Sequence, residues 1–456
     1  MKKALRTTLA LLLLLLIVFS GCSTTPQGSS SPAPSSNAPT STGPANTGPT
    51  GGGSSEPVTI TMWSAGRHDY EIYAKPNIDA WNANNPDIQI DYQIYTENFA
   101  QTVEIAAQNG ELPDLIIAMP QTMVTMLIQR GEVASLEPFM TAEEKASLDP
   151  SMFVEGLNLV DGEAFSLPST GTAMRLVINN DIFEECGLSG PPTTVDELIE
   201  YAKIIHEKKG SEGVYGFALP MNNPTDGLQR GFTSITALDG APVHNGFDFQ
   251  QGRYDFSWYK PLLIKFRELW ESGAVFPGCE SLNIDPLRTQ FAAGKIGMYM
   301  TYNHSEWGVY TAQFPTEVHW TYEMLPTMTG EIKGSQKLSG GTGWMMLNSC
   351  ENKEAAYKVY QYFNSDENRT KFYELGLGIS MLPDIVNNAP VPEAVQYTPF
   401  MAFQPSDKIW PLEPIAIVLE GDQYGTEFAK YINGITDDLD GIIEACNERY
   451  NAAYDK

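Results

Sequence analysis

Cysteine is scarce, with five residues among 456. A disulfide-built fold needs denser pairing in a shorter chain, so a buried core must supply the stability. Beyond Cys22 stand Cys186, Cys279, Cys350 and Cys446, which allow three alternative pairings. Histidine is equally sparse. His68, His206, His244, His304 and His319 form no H-E-x-x-H or similar spacing, so neither a metal site nor a cofactor is expected. The chain has no G-x-S-x-G element and no P-loop, and none of its many carboxylates stand out as a glycosidase pair, so no enzymatic activity is expected. Basic residues are few, 28 against 56 acidic ones, for a formal charge of −28. Nucleic-acid binding needs clustered Lys and Arg and is excluded, while the acidity is read as a solvated surface. A bilayer-spanning run is missing too: the apolar stretch Leu9–Phe19 is roughly half the length required.

What the N-terminus does have is an export signal. Three basic residues precede Leu9–Phe19, and Ser20 and Gly21 lead into Cys22. This resembles the lipobox of bacterial lipoproteins, in which the signal is cut before a cysteine that receives a diacylglycerol. Phe19 stands where that pattern usually has Leu. The resemblance implies a signal peptide over 1–21 and a lipid anchor on Cys22. From Thr24 to Ser55 there is no charge and no large apolar side chain, so 22–55 is expected to be a disordered tether. Removing the signal, with three basic and no acidic residues, takes the formal charge from −28 to −31. The expected location is the extracellular face of a Gram-positive cell membrane.

From Glu56 onward the chain is too long for one hydrophobic core and suits two lobes. "VTITMW" and "IQIDYQI" are rich in β-formers, and "DLIIA" is a short apolar run after Pro113. Helical patterns lie between them, with Ile78, Trp81 and Ala83 in one and Phe99, Val103, Ala106 and Ala107 in the other. Strand, helix, strand, helix, strand predicts an α/β fold with a parallel sheet, whose ligands bind beyond the C-terminal strand ends, here "WSAGRH", "YTEN" and "AMPQ". Further on, Thr194 and Glu197 form a capping box for "TVDELIEYAKIIHEKKG", a helix stopped by Gly210. "DPLRTQFAAGK" predicts a helix capped by Asp285, followed by the strand "IGMYMTY". One long helical run is expected from about Thr426.

Several stretches, in order, resemble the extracellular solute-binding proteins of carbohydrate ABC transporters, the group that includes maltose-binding protein. They are "WNANNPDIQIDYQ", "LPDLIIA", "SLPSTGTAMRLVINNDIFEECGL", "PPTTVDELIEYAKII", "FAAGKIGMYM", "GGTGWMMLNSCENKEAAYKVYQYF" and "MLPDI". The resemblance implies a two-lobe, type II periplasmic-binding-protein-like α/β fold with hinge crossings near Phe165, Lys295 and Cys350. It assigns 56–165 plus 296–350 to the N-terminal lobe and 166–295 plus 351–456 to the C-terminal lobe. It further implies a monomer that captures a small carbohydrate and hands it to membrane permease subunits driven by a separate ATPase. A non-sugar solute such as a peptide, polyamine or metal stays open as the ligand, as does a tethered glycosidase.

Sugar sites use aromatic faces for C–H surfaces and planar polar groups for paired hydroxyls. The candidates in the first lobe are Trp63, Arg67, His68, Glu97, Met119 and Gln121. Each has an ordinary alternative: core packing for Trp63, a solvated turn for Arg67 and His68, a helix-dipole partner for Glu97. Thr170 and Thr172 fall in the hinge-side segment. Asn222 and Asn223 end the strand "YGFAL", where Asn-Pro is also turn chemistry. Tyr302, Asn303, His304 and Trp307 follow "GKIGMYM" at a position where relatives often place a stacking ring. Gly340 and Gly341 would admit close backbone approach, and Trp410 lies in a Pro-flanked loop. Trp344 is expected in the core and Trp258 away from the site.

Overall fold

A computed structural model describes residues 56–65, 69–95, 98–117, 121–168, 170–340, 343–414 and 424–455. The signal peptide, Cys22 and the tether expected from the sequence lie outside them. Strand and helix alternate from the start: β1 (Val58–Ser64), α1 (Lys75–Asn84), β2 (Ile88–Ile94), α2 (Phe99–Asn109), β3 (Leu115–Ile117) and α3 (Gln121–Gln129). Pro76 sits in the first turn of α1, where its missing N–H costs nothing. The apolar face expected for α2 is the one buried, at Phe99, Val103, Ala106 and Ala107, and Gly110 ends the helix at φ 71°. In α1, Ile78 and Trp81 are buried while Ala83 is exposed.

The chain continues through β4 (Thr170–Thr172), β5 (Met174–Asn179), α4 (Val195–Lys209), β6 (Tyr215–Ala218), α5 (Pro224–Gln229), β7 (Ile296–Tyr302) and β8 (Trp320–Glu323). Next come β9 (Ser339–Gly340), β10 (Trp344–Met346), α6 (Lys353–Phe363), β11 (Ile379–Ser380), α7 (Tyr424–Ile432) and α8 (Leu439–Tyr454). The Thr194–Glu197 capping box is present in α4. That helix lies close on β6 because Gly216 has no side chain: a Cβ there would sit 2.2 Å from the Ala202 backbone.

Two four-stranded sheets result. The first has the order β10-β3-β1-β2, with β1 parallel to β2 and β3 and with β10 antiparallel to β3. The second has the order β8-β5-β7-β6, with β7 parallel to β6 and antiparallel to β5. Each sheet has its own core. Ile60, Met62, Leu115, Trp344, Met346 and Tyr360 belong to the first; Leu176, Phe217, Phe266, Met298, Tyr322 and Phe428 to the second.

Between the sheets the chain passes three times, as β4, β9 and β11, and these passages pair with one another. Both β9 and β11 run antiparallel to β4, giving a small sheet of order β9-β4-β11. Short passages gathered at one place are where hinge bending between two lobes is absorbed. The expected crossing near Lys295 does not occur: "IGMYMTY" is β7, registered Tyr302 to Met174 and Met298 to Ile178 inside the second sheet. Residues 296–338 therefore pack with the second lobe. The crossing expected near Cys350 comes earlier, at β9, so the segment after Cys350 stays in the first lobe, where α6 contributes Tyr357, Tyr360 and Phe363 to the core, and the chain leaves it only at β11. Two smaller expectations also change. Asn283, not Asp285, stands at the N-cap of the helix Ile284–Ala292. The expected long run from Thr426 is two helices, α7 and α8, parted at Gly434 (φ 68°), with Asp438 capping α8 through the Gly441 N–H.

None of Cys186, Cys279, Cys350 and Cys446 is in a disulfide, and all four are buried. Burial pushes the Cys279 and Cys350 thiols up to about 12, so the nucleophilic thiolate is absent at neutral pH. A thiol reagent such as Ellman's is therefore expected to leave all four unmodified in the native protein and to titrate all four in denaturant. Rapid native labelling at any of them would contradict the burial.

Candidate functional site at the hinge

Strand register decides which end of each sheet faces the hinge. In the second lobe, Met174 lies two residues after β4 and pairs with Tyr302, so the C-terminal end of β7 is at the hinge; β6 runs parallel and ends on the same side. In the first lobe, Trp344 follows β9 by four residues and pairs with Ile117. The C-terminal ends of β3, β1 and β2 are thereby brought to the hinge as well. Both lobes thus turn toward a common seam the strand ends at which α/β sheets bind ligands.

On the first-lobe rim, Trp63 is half-buried at the end of β1, its ring 4.8 Å from that of Tyr95 and tilted 55° to it. Tyr95 in turn stacks on Phe99 at 5.9 Å. Asn98, the N-cap of α2, is in the left-handed region at φ 53°, which asparagine adopts more readily than other side-chain residues. Gln121 is the first residue of α3, directly beyond the hinge end of β3. Arg67, His68, Glu97 and Met119 lie outside the described residues. Gly340 ends β9 in the hinge sheet, and Gly341 lies outside. Thr170 and Thr172 alternate with Gly171 along β4, so their side chains share one face of the hinge strand, and each is half-buried.

The second-lobe rim is more fully drawn. Tyr302 ends β7, and its ring centroid lies 5.8 Å from that of His304. Burial raises the Tyr302 phenol above its usual range. Asn222 is exposed at the neighbouring rim, beyond β6. Asn223 is spent as the N-cap of α5, its Oδ1 accepting from the Asp226 N–H at 3.3 Å. Asn303 is spent as well: it is fully buried, its Oδ1 accepts from the Ala173 N–H at 2.9 Å, and its Nδ2 donates to the Met401 carbonyl at 2.6 Å. Trp307 packs against the Tyr397 ring at 5.6 Å and belongs to the second core. Trp410 donates from Nε1 to Ser335 Oγ at 3.1 Å and sets its ring edge on Phe249, 5.5 Å away. As expected, Trp344 is in the core. Trp258 is exposed, donating to Asp248.

Three features escaped the sequence reading. Tyr95 stands beside Trp63. Arg230 lies over the Tyr302 ring, its Cζ 5.1 Å from the centroid, where the spacing Asp226 to Arg230 (i, i+4) was the available signal. Near Trp410, Glu413 accepts from Lys337 Nζ at 2.7 Å and Asn245 Nδ2 at 2.6 Å and meets His244 Nδ1 at 3.1 Å. Burial alone would raise the Glu413 carboxyl, but Lys337 and His244 hold it well below the usual range.

Two sheets turned by their strand ends toward one three-stranded hinge define a two-lobe binding protein. Residues 65–370 match the profile of the bacterial extracellular solute-binding proteins, and the chain belongs to that family. A Brucella abortus protein whose name assigns it provisionally as a binding protein is 23% identical over 326 residues, 69% of this chain and 73% of that one. Among solved structures, one from work on xylan utilization by Caldanaerobius polysaccharolyticus superposes with a TM-score of 0.69 at 19% identity, covering 86% of this chain and all of the other. RafE of Streptococcus pneumoniae in complex with raffinose gives 0.65 at 17%, covering 87% and 99%. The GacH receptor of Streptomyces glaucescens, solved unliganded and with acarbose, gives 0.67 at 17%, covering 87% and 98%. At these identities the likeness is one of fold.

Proposed function

We propose that this protein is the lipid-anchored receptor of a carbohydrate ABC importer, capturing a sugar or oligosaccharide between its lobes and presenting it to the permease. The observation that carries the reading is the register that brings the ligand-binding ends of both sheets to a shared hinge. A guest touching both rims makes contacts available only when the lobes approach, so binding shifts an open–closed equilibrium and closure signals occupancy. The relatives solved with raffinose and with acarbose support a saccharide as the guest. So does the chemistry of the rims: Trp63 and Tyr95 supply aromatic surface, while Thr170, Thr172, Asn222 and Arg230 supply polar groups. Cys22 would hold the folded part at the membrane through the tether, with permease and ATPase as separate chains.

A thermal-shift screen against mono- and oligosaccharides, with peptides, polyamines and divalent cations in parallel, tests the reading. A ligand at one hundred times its Kd stabilises the native state by about 2.7 kcal/mol, well above detection. At least one saccharide is expected to raise Tm and to be recovered intact. A rise confined to a peptide, polyamine or cation, or cleavage of the sugar, would refute it.

A further inference from the structure

Resting on the sugar-binding reading, the second-lobe rim points to how ligands are distinguished. Tyr302 sits where a stacking ring is expected, but the Arg230 guanidinium already lies over its ring, 5.1 Å from centroid to Cζ. Arg230 Nε and Nη2 donate to Asp226 Oδ2 at 3.1 and 3.0 Å, and Nη1 reaches Thr301 Oγ1 at 3.4 Å. A long, flexible side chain is thereby pinned from three sides: by the carboxylate four residues earlier, by the penultimate residue of β7 and by the aromatic ring below. The Arg230 side chain is 11% exposed and that of Asp226 44%, so the pair has an inner, fixed cation and an outer, accessible anion.

With Nε and Nη2 donating to Asp226 Oδ2 and Nη1 to Thr301 Oγ1, the pair keeps Asp226 Oδ1 as an acceptor beside one remaining N–H on each of Nη1 and Nη2. That is the complement of two neighbouring hydroxyls, one donating to Asp226 and the other accepting from Arg230. A ligand carboxylate would meet Asp226 as a like charge, so the pair favours a neutral diol over an acidic sugar.

We propose that the Asp226–Arg230 pair, seated on Tyr302, is a hydroxyl clamp that selects saccharides presenting a vicinal diol to the second lobe. In this arrangement Tyr302 is a platform for the cation and not a stacking surface for the sugar. It is a positioning residue, and sugar stacking falls to Trp63 and Tyr95 on the opposite rim.

The test uses the tightest saccharide from the thermal-shift screen and a set of its monodeoxy and mono-O-methyl analogues, titrated calorimetrically into wild-type protein, Arg230→Ala, Asp226→Asn, Tyr302→Phe and Tyr302→Leu. In the wild type, one analogue pair with adjacent positions altered is expected to bind at least tenfold more weakly than the parent. Arg230→Ala and Asp226→Asn are expected to lose affinity for the parent by about 10- to 100-fold and to abolish that discrimination, binding the analogues as well as they bind the parent. Tyr302→Phe keeps the ring face and should behave as wild type; Tyr302→Leu should resemble Arg230→Ala. Ligand-free melting curves separate these effects from unfolding. Wild-type affinity and discrimination in Arg230→Ala would overturn the clamp. So would a uniform loss that preserves discrimination, the mark of a structural role. A wild-type protein that binds no saccharide is a different failure, removing the sugar reading and the clamp together.

Discussion

Replacing Arg175 with Ala is expected to cost about 3–5 kcal/mol of stability, read as a shifted urea midpoint at unchanged slope. Arg175 and Asp407 are fully buried, with Nη2 and Oδ2 2.6 Å apart. All five guanidinium N–H groups are used: Nε to the Phe400 carbonyl at 2.7 Å, Nη1 to the Met174 carbonyl at 2.8 Å and Asp407 Oδ1 at 3.2 Å, Nη2 to the Ala402 carbonyl at 3.1 Å and Asp407 Oδ2. Asp407 also accepts from Gln336 Nε2 at 2.8 Å and the Gln404 N–H at 2.7 Å. Removing the cation strands a buried carboxylate and several carbonyls, and that unpaired state sets the size of the loss. Replacing both partners, Arg175→Met with Asp407→Leu, strands no charge and is expected to recover much of it. The network also ties the second-lobe ends of β4 and β9 to the 400–407 segment. Met174 and Arg175 follow β4, Gln336 precedes β9, and the 400–407 segment follows β11. Saccharide affinity is therefore expected to fall in Arg175→Ala even at temperatures where the protein stays folded. A loss under about 1 kcal/mol would contradict the account.

Glu306→Gln is expected to cost a similar amount, with a signature in pH. Glu306 is fully buried, and Arg288 donates to it twice, from Nε at 2.8 Å and Nη2 at 2.7 Å. Thr301 Oγ1 adds a hydrogen bond at 3.0 Å, and the Glu306 N–H donates to the Tyr322 hydroxyl at 2.9 Å. Burial alone would raise the carboxyl, but Arg288, with Thr301 and Arg230, holds it below the ordinary value. A carboxyl depressed in the folded state stabilises above its unfolded pKa, near ~4.3, and that contribution fades as pH falls through the folded value. Wild-type stability should thus decline on acidification, and Glu306→Gln, already lacking this contribution, should show a shallower acid slope. Because Thr301 lies between Glu306 and Arg230, the variant also reports on the second-lobe rim. Parallel acid slopes in variant and wild type would remove Glu306 from the explanation.

The elements most legible in the sequence are those whose pattern is local. β1 and β2 alternate β-branched and polar residues, α2 repeats its apolar face at helical spacing, and α4 announces its start with Thr194 and Glu197; each is found where expected. The hinge was less legible because β4, β9 and β11 are two or three residues long, too short for any periodicity to register. "IGMYMTY" was readable as a strand, but its lobe depends on which strand it pairs with, and antiparallel registration with β5 leaves no mark in the residues themselves. The same division runs through the site. Tyr302 ends β7 and Asn222 lies beyond β6, placements that follow from the strand positions alone. Asn303, one residue beyond Tyr302, turns inward to Ala173 and Met401, a matter of side-chain direction that residue type does not reveal. Arg230 carries no comparable mark: its i, i+4 spacing from Asp226 is that of any helix-surface pair, and its seat over Tyr302 depends on the tertiary fold.

The central claim is that two lobes close on a saccharide at the hinge, and a distance between lobes tests it most directly. Gln108 on α2 and Glu207 on α4 are exposed, one on each lobe. The native thiols of the folded part are buried, so Cys residues introduced at these two positions can be spin-labelled selectively. Pulsed electron paramagnetic resonance is expected to show a distance distribution that narrows and shifts when the best saccharide of the thermal-shift screen is added, and not when a non-binding sugar is. An unchanged distribution under saturating, calorimetrically verified saccharide would contradict the account.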